Sequence, residues 1–233
     1  MTLAEKKNIG SLFDGIASIY DRFNHLSSLG LDLWWRRVAV RFMSRAGHML
    51  DVAVGTADFS IAAVRGGKAG RITGIDLSRE MLQRGRQKVD RAGLAGCIEL
   101  LEASALDMPF ADASFDAVTC SYGIRNFSDL DRGLAEMHRV LRPGCELVIL
   151  EFSYPSNPVV RFFYDLYFSH VMPLFGRVLA RGKGGSFTYF IRSVKGFIWG
   201  DRMAERLRQA GFCRVQYKTL TLGVTTLYTA WKE

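Results

Sequence analysis

Apolar residues along the chain recur with two alternating spacings. Short stretches in which nearly every position is apolar predict buried strands, and they lie at 48–54, 71–76, 97–103, 115–123 and 145–153. Between them, apolar residues return every three or four positions, which predicts helices at 58–67, 79–93 and 129–141. Strand and helix alternating in this order are typical of a doubly wound, mostly parallel α/β sheet.

The end of the chain continues the pattern with a helix at 201–212 and strands at 213–220 and 225–232, which brings the expected sheet to seven strands. Local signals set several boundaries. Ser78 is a good N-cap for the second helix and Gly93 a good stop for it, while Pro143–Gly144 is expected to end the third helix.

Two segments lie outside this alternation. Residues 5–43 have a helical pattern, and residues 155–200 are dense in aromatic and basic residues. Both are candidate covers for the carboxyl edge of the sheet, where ligands of such folds bind. We therefore expect one domain, 1–233, in four parts: a helical cover (1–45), the sheet core (46–154), a helical lid (155–200) and a final helix with two strands (201–233).

Composition excludes several classes of protein. With 233 residues and 48% hydrophobic content the chain can bury a sizeable core. It has no uncharged apolar run long enough to span a membrane, and its start does not resemble a signal peptide. Four scattered cysteines predict buried thiols in a reducing cytoplasm, with no metal site. The net charge of +8 favours an anionic partner, either nucleic acid or a phospholipid surface.

The turn after the first strand, Gly55-Thr56-Ala57-Asp58, carries candidate chemistry. A dinucleotide loop needs three glycines, and a carboxylate beside a diphosphate is electrostatically unfavourable. A ligand with a positive charge and no phosphate suits Asp51 and Asp58 better, and S-adenosylmethionine (SAM) is such a ligand. Asp76, at the end of the second strand, stands where a carboxylate accepts ribose hydroxyls. An ordinary tight turn is the alternative interpretation.

Four longer stretches carry a family resemblance. They are YDRFNHLSSLGLDLWW (20–35), SALDMPFADASFDAV (104–118), SYGIRNFSDLD (121–131) and RVLRPGCELVILEFS (139–153). Together they resemble the menaquinone/ubiquinone-biosynthesis C-methyltransferases, from about Phe13 to the C-terminus. The resemblance implies a Rossmann-like class I fold, SAM as cofactor, and methylation of a ring carbon of a prenylated quinol. FDGIASIYD (13–21) looks more like the demethylmenaquinone branch.

The resemblance also implies three sets of site residues. The cofactor set is Asp51, Gly55, Thr56, Asp76, Ser104, Ala105 and Ser121. The catalytic set is Tyr122, Arg125 and Asn126. The set that closes over the substrate is Tyr20, Asp21 and Asn24.

The acceptor must be the reduced quinol, because loss of a hydroxyl proton makes the ring carbon nucleophilic. Arg125 could stabilise the phenolate or position a water that takes the proton, and Asn126 and Tyr122 could orient the ring. A structural ion pair of Arg125 with Asp21 or Asp129 is the competing interpretation. No histidine is expected to act as the base.

Three positions depart from the family pattern: Ala57 stands for a glycine, Cys145 for a glycine and Asp32 for a histidine. If position 57 requires a positive φ, alanine costs about 1 kcal/mol there and weakens cofactor binding. This departure keeps a cofactor-binding protein without catalysis among the alternatives.

Two partner classes follow from these interpretations. Basic residues of the lid are expected to meet an anionic membrane surface transiently at its inner face, and they are Arg177, Arg181, Lys183, Arg192 and Lys195. Packing of the lid aromatics into the core is the alternative. A methyltransferase acting on RNA or protein is a further alternative, but no RNA-binding module is recognisable, so we expect no nucleic-acid partner. A homodimer is left open.

Overall fold

The computed structural model of the chain describes residues 9–172 and 184–233. Their strands form one sheet in the order β3-β2-β1-β4-β5-β7-β6. The strands are β1 Ala46–Val52, β2 Ala69–Asp76, β3 Ile98–Glu102, β4 Phe115–Ser121, β5 Leu141–Phe152, β6 Cys213–Leu220 and β7 Thr225–Trp231. The first five pair in parallel, and β7 runs antiparallel to both β5 and β6. The expectation of a mostly parallel, seven-stranded sheet is confirmed.

Helices flank this sheet and cover its carboxyl edge. They are α1 Ile9–Ser27, α2 Leu31–Phe42, α3 Asp58–Arg65, α4 Arg79–Arg91, α5 Leu130–Val140, α6 Pro158–Leu166, α7 Gly184–Gly196 and α8 Asp201–Gln209. Short 3-10 turns follow β4 (Ile124–Asn126) and β6 (Thr221–Gly223), and a π-helical turn, Tyr167–Val171, extends α6. The described parts of 1–45 and 155–200 are therefore mostly helical, with non-helical residues at 28–30, 43–45, 155–157 and 197–200.

Local boundaries follow the sequence signals with one exception. The Ser78 hydroxyl caps α4 by accepting the Met81 N–H at 3.2 Å. The expectation that Pro143–Gly144 ends the third helix is wrong: α5 ends at Val140 and β5 begins at Leu141. Pairing with β4 takes over immediately after the helix, and a register shift in β5 between the partners of Phe115 and Ala117 accommodates the two residues.

The core lies on both faces of the sheet, because successive side chains of a buried strand point to opposite sides. On β1, Met49 packs with α2 and α3 on one face, and Leu50 packs with α5 and α8 on the other. The parallel strands thus end at one edge, where β1, β2, β4 and β5 present their carboxyl ends to α1, α2 and the segment after β5.

Candidate active site

Two cavities adjoin at the carboxyl edge of the sheet. The first, of about 270 Å³, lies among the ends of β1 to β4, and we call it the loop cavity. The second, of about 300 Å³, is walled mainly by aromatic side chains from α2, β5, α6 and α7, and we call it the aromatic cavity. Phe13 and Tyr122 belong to the walls of both. A molecule in one cavity therefore lies next to a molecule in the other.

The loop cavity brings together five of the predicted cofactor residues. They are Gly55, Asp76, Ser104, Ala105 and Ser121. The Asp76 carboxylate accepts the backbone N–H groups of Gly55 and Ser78, each at 2.9 Å. Burial raises the pKa of Asp76, and these backbone bonds counter the rise. One side chain thus holds the loop after β1 and the start of α4 around the same space.

Ser121 contributes an unsatisfied polar atom to the loop cavity. Its buried hydroxyl has no hydrogen-bond partner among the residues that the structure describes. A buried hydroxyl without a partner is unfavourable by about 1–3 kcal/mol, so a polar ligand group at this point would be stabilised. The Ser104 hydroxyl, by contrast, accepts the Leu106 N–H at 3.1 Å and shapes its own turn.

Asp51 and Thr56, also predicted to bind the cofactor, do not line either cavity. Asp51 is buried and accepts hydrogen bonds from the hydroxyls of Ser60 at 2.6 Å and Thr119 at 2.9 Å. It shares the face of β1 with Met49, so it points under α3 rather than out of the edge. The Thr56 hydroxyl donates to Asp21 at 2.7 Å. Both side chains support the loop from behind.

We expect the Asp51→Asn variant to remove a pH-dependent part of the stability. Burial raises the pKa of Asp51 from its ordinary 3.8 to about 6. A raised carboxyl pKa favours the folded state fully below pH ~4, and this contribution is lost as the pH rises towards 6, by roughly 3 kcal/mol at most. Chemical denaturation at pH 4.5 and 7.5 should show the parent losing stability relative to the variant at the higher pH.

The Asp116→Asn variant is a control of opposite sign. Burial opposes ionisation of Asp116, but the His48 amide and Arg142 outweigh burial and hold its pKa below the ordinary value. Its contribution is therefore present at high pH and lost on acidification. If the free energy of unfolding changed with pH in the same way for the parent and the Asp51→Asn variant, the result would contradict titration of Asp51 in this range.

Ala57 has a φ of 65°, the left-handed backbone conformation in which alanine is strained relative to glycine. Its methyl group is fully buried in the core and does not line the loop cavity. Asp58, expected to face a cationic ligand, instead pairs with Lys88.

Helix α1 is fastened across this region by two carboxylates. Asp21 accepts from Lys88 at 2.9 Å as well as from Thr56. Asp14 accepts from the Ser78 hydroxyl at 2.6 Å. Of the three predicted substrate residues, Asn24 lines the aromatic cavity and Asp21 fastens the helix instead. The side chain of Tyr20 lies outside the described part.

Arg125 is buried in the wall of the aromatic cavity. Its guanidinium donates to Glu151 at 2.8 Å and to the backbone carbonyl of Tyr122. It also lies over the rings of Phe152 at 5.4 Å and Phe190 at 5.3 Å. Arg125 thus has both an ion pair and a place in the cavity.

The competing interpretation, an ion pair of Arg125 with Asp21 or Asp129, is wrong in its partners. Asp21 pairs with Lys88, and Asp129 caps α5 by accepting the Arg132 N–H at 3.0 Å. Glu151 was missed although it belongs to the quoted stretch LEFS, because an apolar strand gives no sign of which face a single carboxylate takes. In the structure it is 1% exposed, so its charge is balanced by Arg125 alone among the described ion pairs.

A second buried ion pair lies in the same wall. Arg36 donates to Asp32 at 2.6 Å, and Asp32 also accepts from Ser28 at 2.6 Å and lies 2.8 Å from His25 Nδ1. Burial alone would raise the pKa of Asp32, but Ser28, Arg36 and His25 together hold it below the ordinary value. The Arg36 guanidinium lies over the Tyr122 ring at 5.2 Å. The four-residue spacing of Asp32 and Arg36 on a helix was the signal that could have identified this pair.

Tyr122 and Asn126 stand between the two cavities. Tyr122 adopts a φ of 60°, which an L-residue takes only where its surroundings hold it. Burial raises the pKa of its hydroxyl, so the phenol stays protonated. Asn126 lines the loop cavity, and its amide oxygen accepts from the Tyr189 hydroxyl at 2.9 Å. This bond ties α7 to the turn after β4.

Comparison with known proteins places the chain among methyltransferases. A model of the ubiE/COQ5 methyltransferase family matches residues 1–232. The chain is 39% identical to a demethylmenaquinone methyltransferase of Bacteroides fragilis, covering 98% of this chain and 94% of that protein. It is 42% identical to a ubiquinone/menaquinone biosynthesis C-methyltransferase of Geotalea daltonii, covering 99% of each. A SAM-dependent methyltransferase of Thermotoga maritima, described as a possible histamine N-methyltransferase, has the same fold, with a TM-score of 0.68, 17% identity and coverage of 96% and 99%.

Proposed function

This chain belongs to the ubiE/COQ5 methyltransferase family, and from that premise we propose that it methylates a ring carbon of a prenylated quinol, with demethylmenaquinol as the acceptor. The observation that carries the proposal is the pair of adjoining cavities. One is edged by Asp76 and Ser121, and the other is aromatic and contains Arg125.

The loop cavity fits SAM. Asp76 offers a carboxylate for ribose hydroxyls, and the orphan hydroxyl of Ser121 offers a polar contact near Tyr122. When bound, SAM supplies a methyl group activated by a sulfonium. The chain supplies position: the wall shared by the two cavities at Tyr122 brings the acceptor ring beside the donor, and this proximity is a large part of the rate of a two-substrate reaction.

The aromatic cavity suits an aromatic ring that becomes an anion. Many of its walls are aromatic, and a bound ring that displaces water from between them would meet stronger electrostatic interactions there. The Arg125 guanidinium, held by Glu151 in a fixed orientation, donates towards the oxygen where negative charge develops after loss of the hydroxyl proton. Negative charge on that oxygen makes the neighbouring ring carbon the nucleophile. After methyl transfer the ring carbon loses its proton to solvent water, and the electrons of that C–H bond restore the aromatic ring.

The test is methyl transfer from labelled SAM to two acceptors supplied separately: short-chain demethylmenaquinol, kept reduced, and bulk RNA. We expect label in the quinol alone. Label in RNA, or in neither acceptor while SAM still binds, would contradict the proposal.

We also propose that the enzyme collects its apolar substrate at a membrane surface. No helix in residues 9–172 and 184–233 could cross a bilayer. The mouth of the aromatic cavity nevertheless carries exposed apolar side chains: Leu29 is 80% exposed, Leu222 76% and Phe163 62%. Exposed apolar groups clustered at one opening mark an interaction surface.

The sequence left two interpretations of the lid aromatics, contact with a membrane surface or packing into the core, and both kinds of environment occur. Tyr164, Phe168 and Tyr189 are buried, whereas Phe162 and Phe163 on α6 are exposed. Of the predicted basic residues, Arg192 is exposed and Lys195 pairs with Asp165 at 2.6 Å. The other three, Arg177, Arg181 and Lys183, lie outside the described residues.

Leu29 and Leu222 allow a direct test of the membrane surface. Both have left-handed backbones, with φ of 52° and 56°, where asparagine is better tolerated than leucine. We expect the Leu29→Asn/Leu222→Asn variant to be as stable as the parent or up to about 1 kcal/mol more stable. It should nevertheless float less with phosphatidylglycerol vesicles and turn over long-chain quinol more slowly.

Tyr217→Asn is the matched control, because Tyr217 is exposed on β6 and lines neither cavity. It should float like the parent. Equal vesicle flotation by parent and double variant would refute a docking role for the cavity mouth.

A further inference from the structure

The aromatic cavity contains two buried guanidinium groups rather than one. Arg36 is 7% exposed and Arg125 is 4% exposed, and both line the cavity. They come from different elements, α2 and the turn after β4. Burying a cation is unfavourable even when it is paired, so a pocket that held only hydrocarbon would be more stable with apolar residues at both positions. The second guanidinium calls for a ligand with a second polar group.

The two guanidinium groups have similar surroundings. Each pairs with a buried carboxylate, Arg36 with Asp32 and Arg125 with Glu151. Both converge on Tyr122: Arg36 over its ring at 5.2 Å, and Arg125 through its backbone carbonyl. Since Tyr122 also lines the loop cavity, both cations lie close to the place where the two cavities meet.

We propose that Arg36 binds the second oxygen of the acceptor ring, so that the cavity recognises a dihydroxy aromatic ring by both of its oxygens. This inference rests on the proposed function. Arg125 then serves the oxygen beside the reacting carbon, and Arg36 serves the oxygen on the far side of the ring. A guanidinium carries five N–H donors in a fixed fork, so its bond to Asp32 is compatible with donation into the cavity.

Asp32 has a defined part in this arrangement. It accepts from Ser28 and Arg36 and lies beside His25, so its carboxylate is fixed in position. An Arg36 held in this way meets the ring in one orientation. The ring is then fixed at two points, which determines the carbon that it presents to the methyl donor.

The experiment compares two small ligands on the same protein: naphthalene-1,4-diol, kept reduced under dithionite, and 1-naphthol, which lacks the second oxygen. Dissociation constants are measured for the parent and for the Arg36→Gln, Arg36→Lys and Arg37→Gln variants. Arg37 is the adjacent, exposed arginine and serves as the matched control. Calorimetric binding of SAM reports whether each variant is folded.

We expect the parent and Arg37→Gln to prefer the diol by roughly tenfold, the usual value of one charged hydrogen bond. Arg36→Gln should bind both ligands about equally, because either ligand then has only the Arg125 position. If Arg36→Gln does not bind SAM, Arg36→Lys decides in its place, since a point charge without the fork should reduce the preference substantially.

If Arg36 were only structural, its replacement would loosen the cavity and weaken the binding of both ligands. The ratio of the two affinities on one variant would then stay unchanged. An undiminished preference for the diol in a folded Arg36 variant would overturn the inference while leaving the proposed function intact. A parent that binds neither ligand would instead contradict the proposed function.

Discussion

Replacing Arg125 by alanine is expected to abolish methyl transfer and to lower the free energy of unfolding by about 3–5 kcal/mol, because Glu151 would remain as a buried charge without its partner. Loss of activity in this variant alone would not separate chemistry from structure. The ion pair of Arg125 and Glu151 at 2.8 Å lies in the wall of the proposed acceptor cavity, so one substitution affects both.

The double variant Arg125→Met/Glu151→Leu separates the two effects. Removing both charges leaves no unpaired charge, but the Arg125 and Phe152 N–H groups lose Glu151 as their acceptor, so part of the lost stability should return. Methyl transfer should stay absent, while calorimetric binding of SAM should be close to that of the parent, because neither residue lines the loop cavity. A stable double variant that still methylates quinol would show that Arg125 is structural only.

Replacing Asp76 by alanine should weaken SAM binding by tens-fold to about a hundredfold, equivalent to the loss of a charged hydrogen bond of about 2–3 kcal/mol. The structure adds a second cause, because the Gly55 and Ser78 N–H groups lose their common acceptor. The loop after β1 would then be less ordered before the ligand arrives. Isothermal titration with SAM measures the affinity directly.

Glu102→Ala provides the matched control for Asp76. Glu102 is the register partner of Asp76 on β3 and also ends its strand, but it pairs with Arg79 and does not line the loop cavity. Its removal should leave SAM affinity unchanged. Unchanged affinity in Asp76→Ala as well would mean that the ribose contact is made elsewhere.

The fold was predictable because its determinants are local. Alternating apolar stretches and helical periods lie within single elements, and caps such as Ser78 need only three residues to act. Of the predicted cofactor residues at strand ends, Asp76 follows from the rule that parallel strands place ligand sites at one edge of the sheet, whereas Ser121 follows from the family resemblance. The helix α5 ends within one residue of its predicted end at 141, but it ends where pairing of β5 with β4 begins rather than at Pro143, which lies in β5.

The partners of the site residues were less predictable, because they are set by packing between distant elements. Arg125 and Glu151 are 26 residues apart, and Asp21 and Lys88 are 67 apart. A charged residue in the sequence indicates that a partner is needed without identifying it. The same limit applies to Asp51: its place on β1 follows from the apolar pattern, but its partners Ser60 and Thr119 lie on other elements.

Helix α1 couples the donor cavity to the acceptor cavity. Phe13 forms part of both cavity walls, and the helix is fastened at Asp14 and Asp21 to the groups that shape the loop cavity. If binding of the donor fixes Phe13, the acceptor binds more tightly because that ordering has already taken place. Linkage requires the acceptor to increase the affinity for the donor by the same factor. Because α1 contributes Phe13 to both walls, we expect the opening of its carboxylate contacts to affect exchange of the donor and its product as well as methyl transfer.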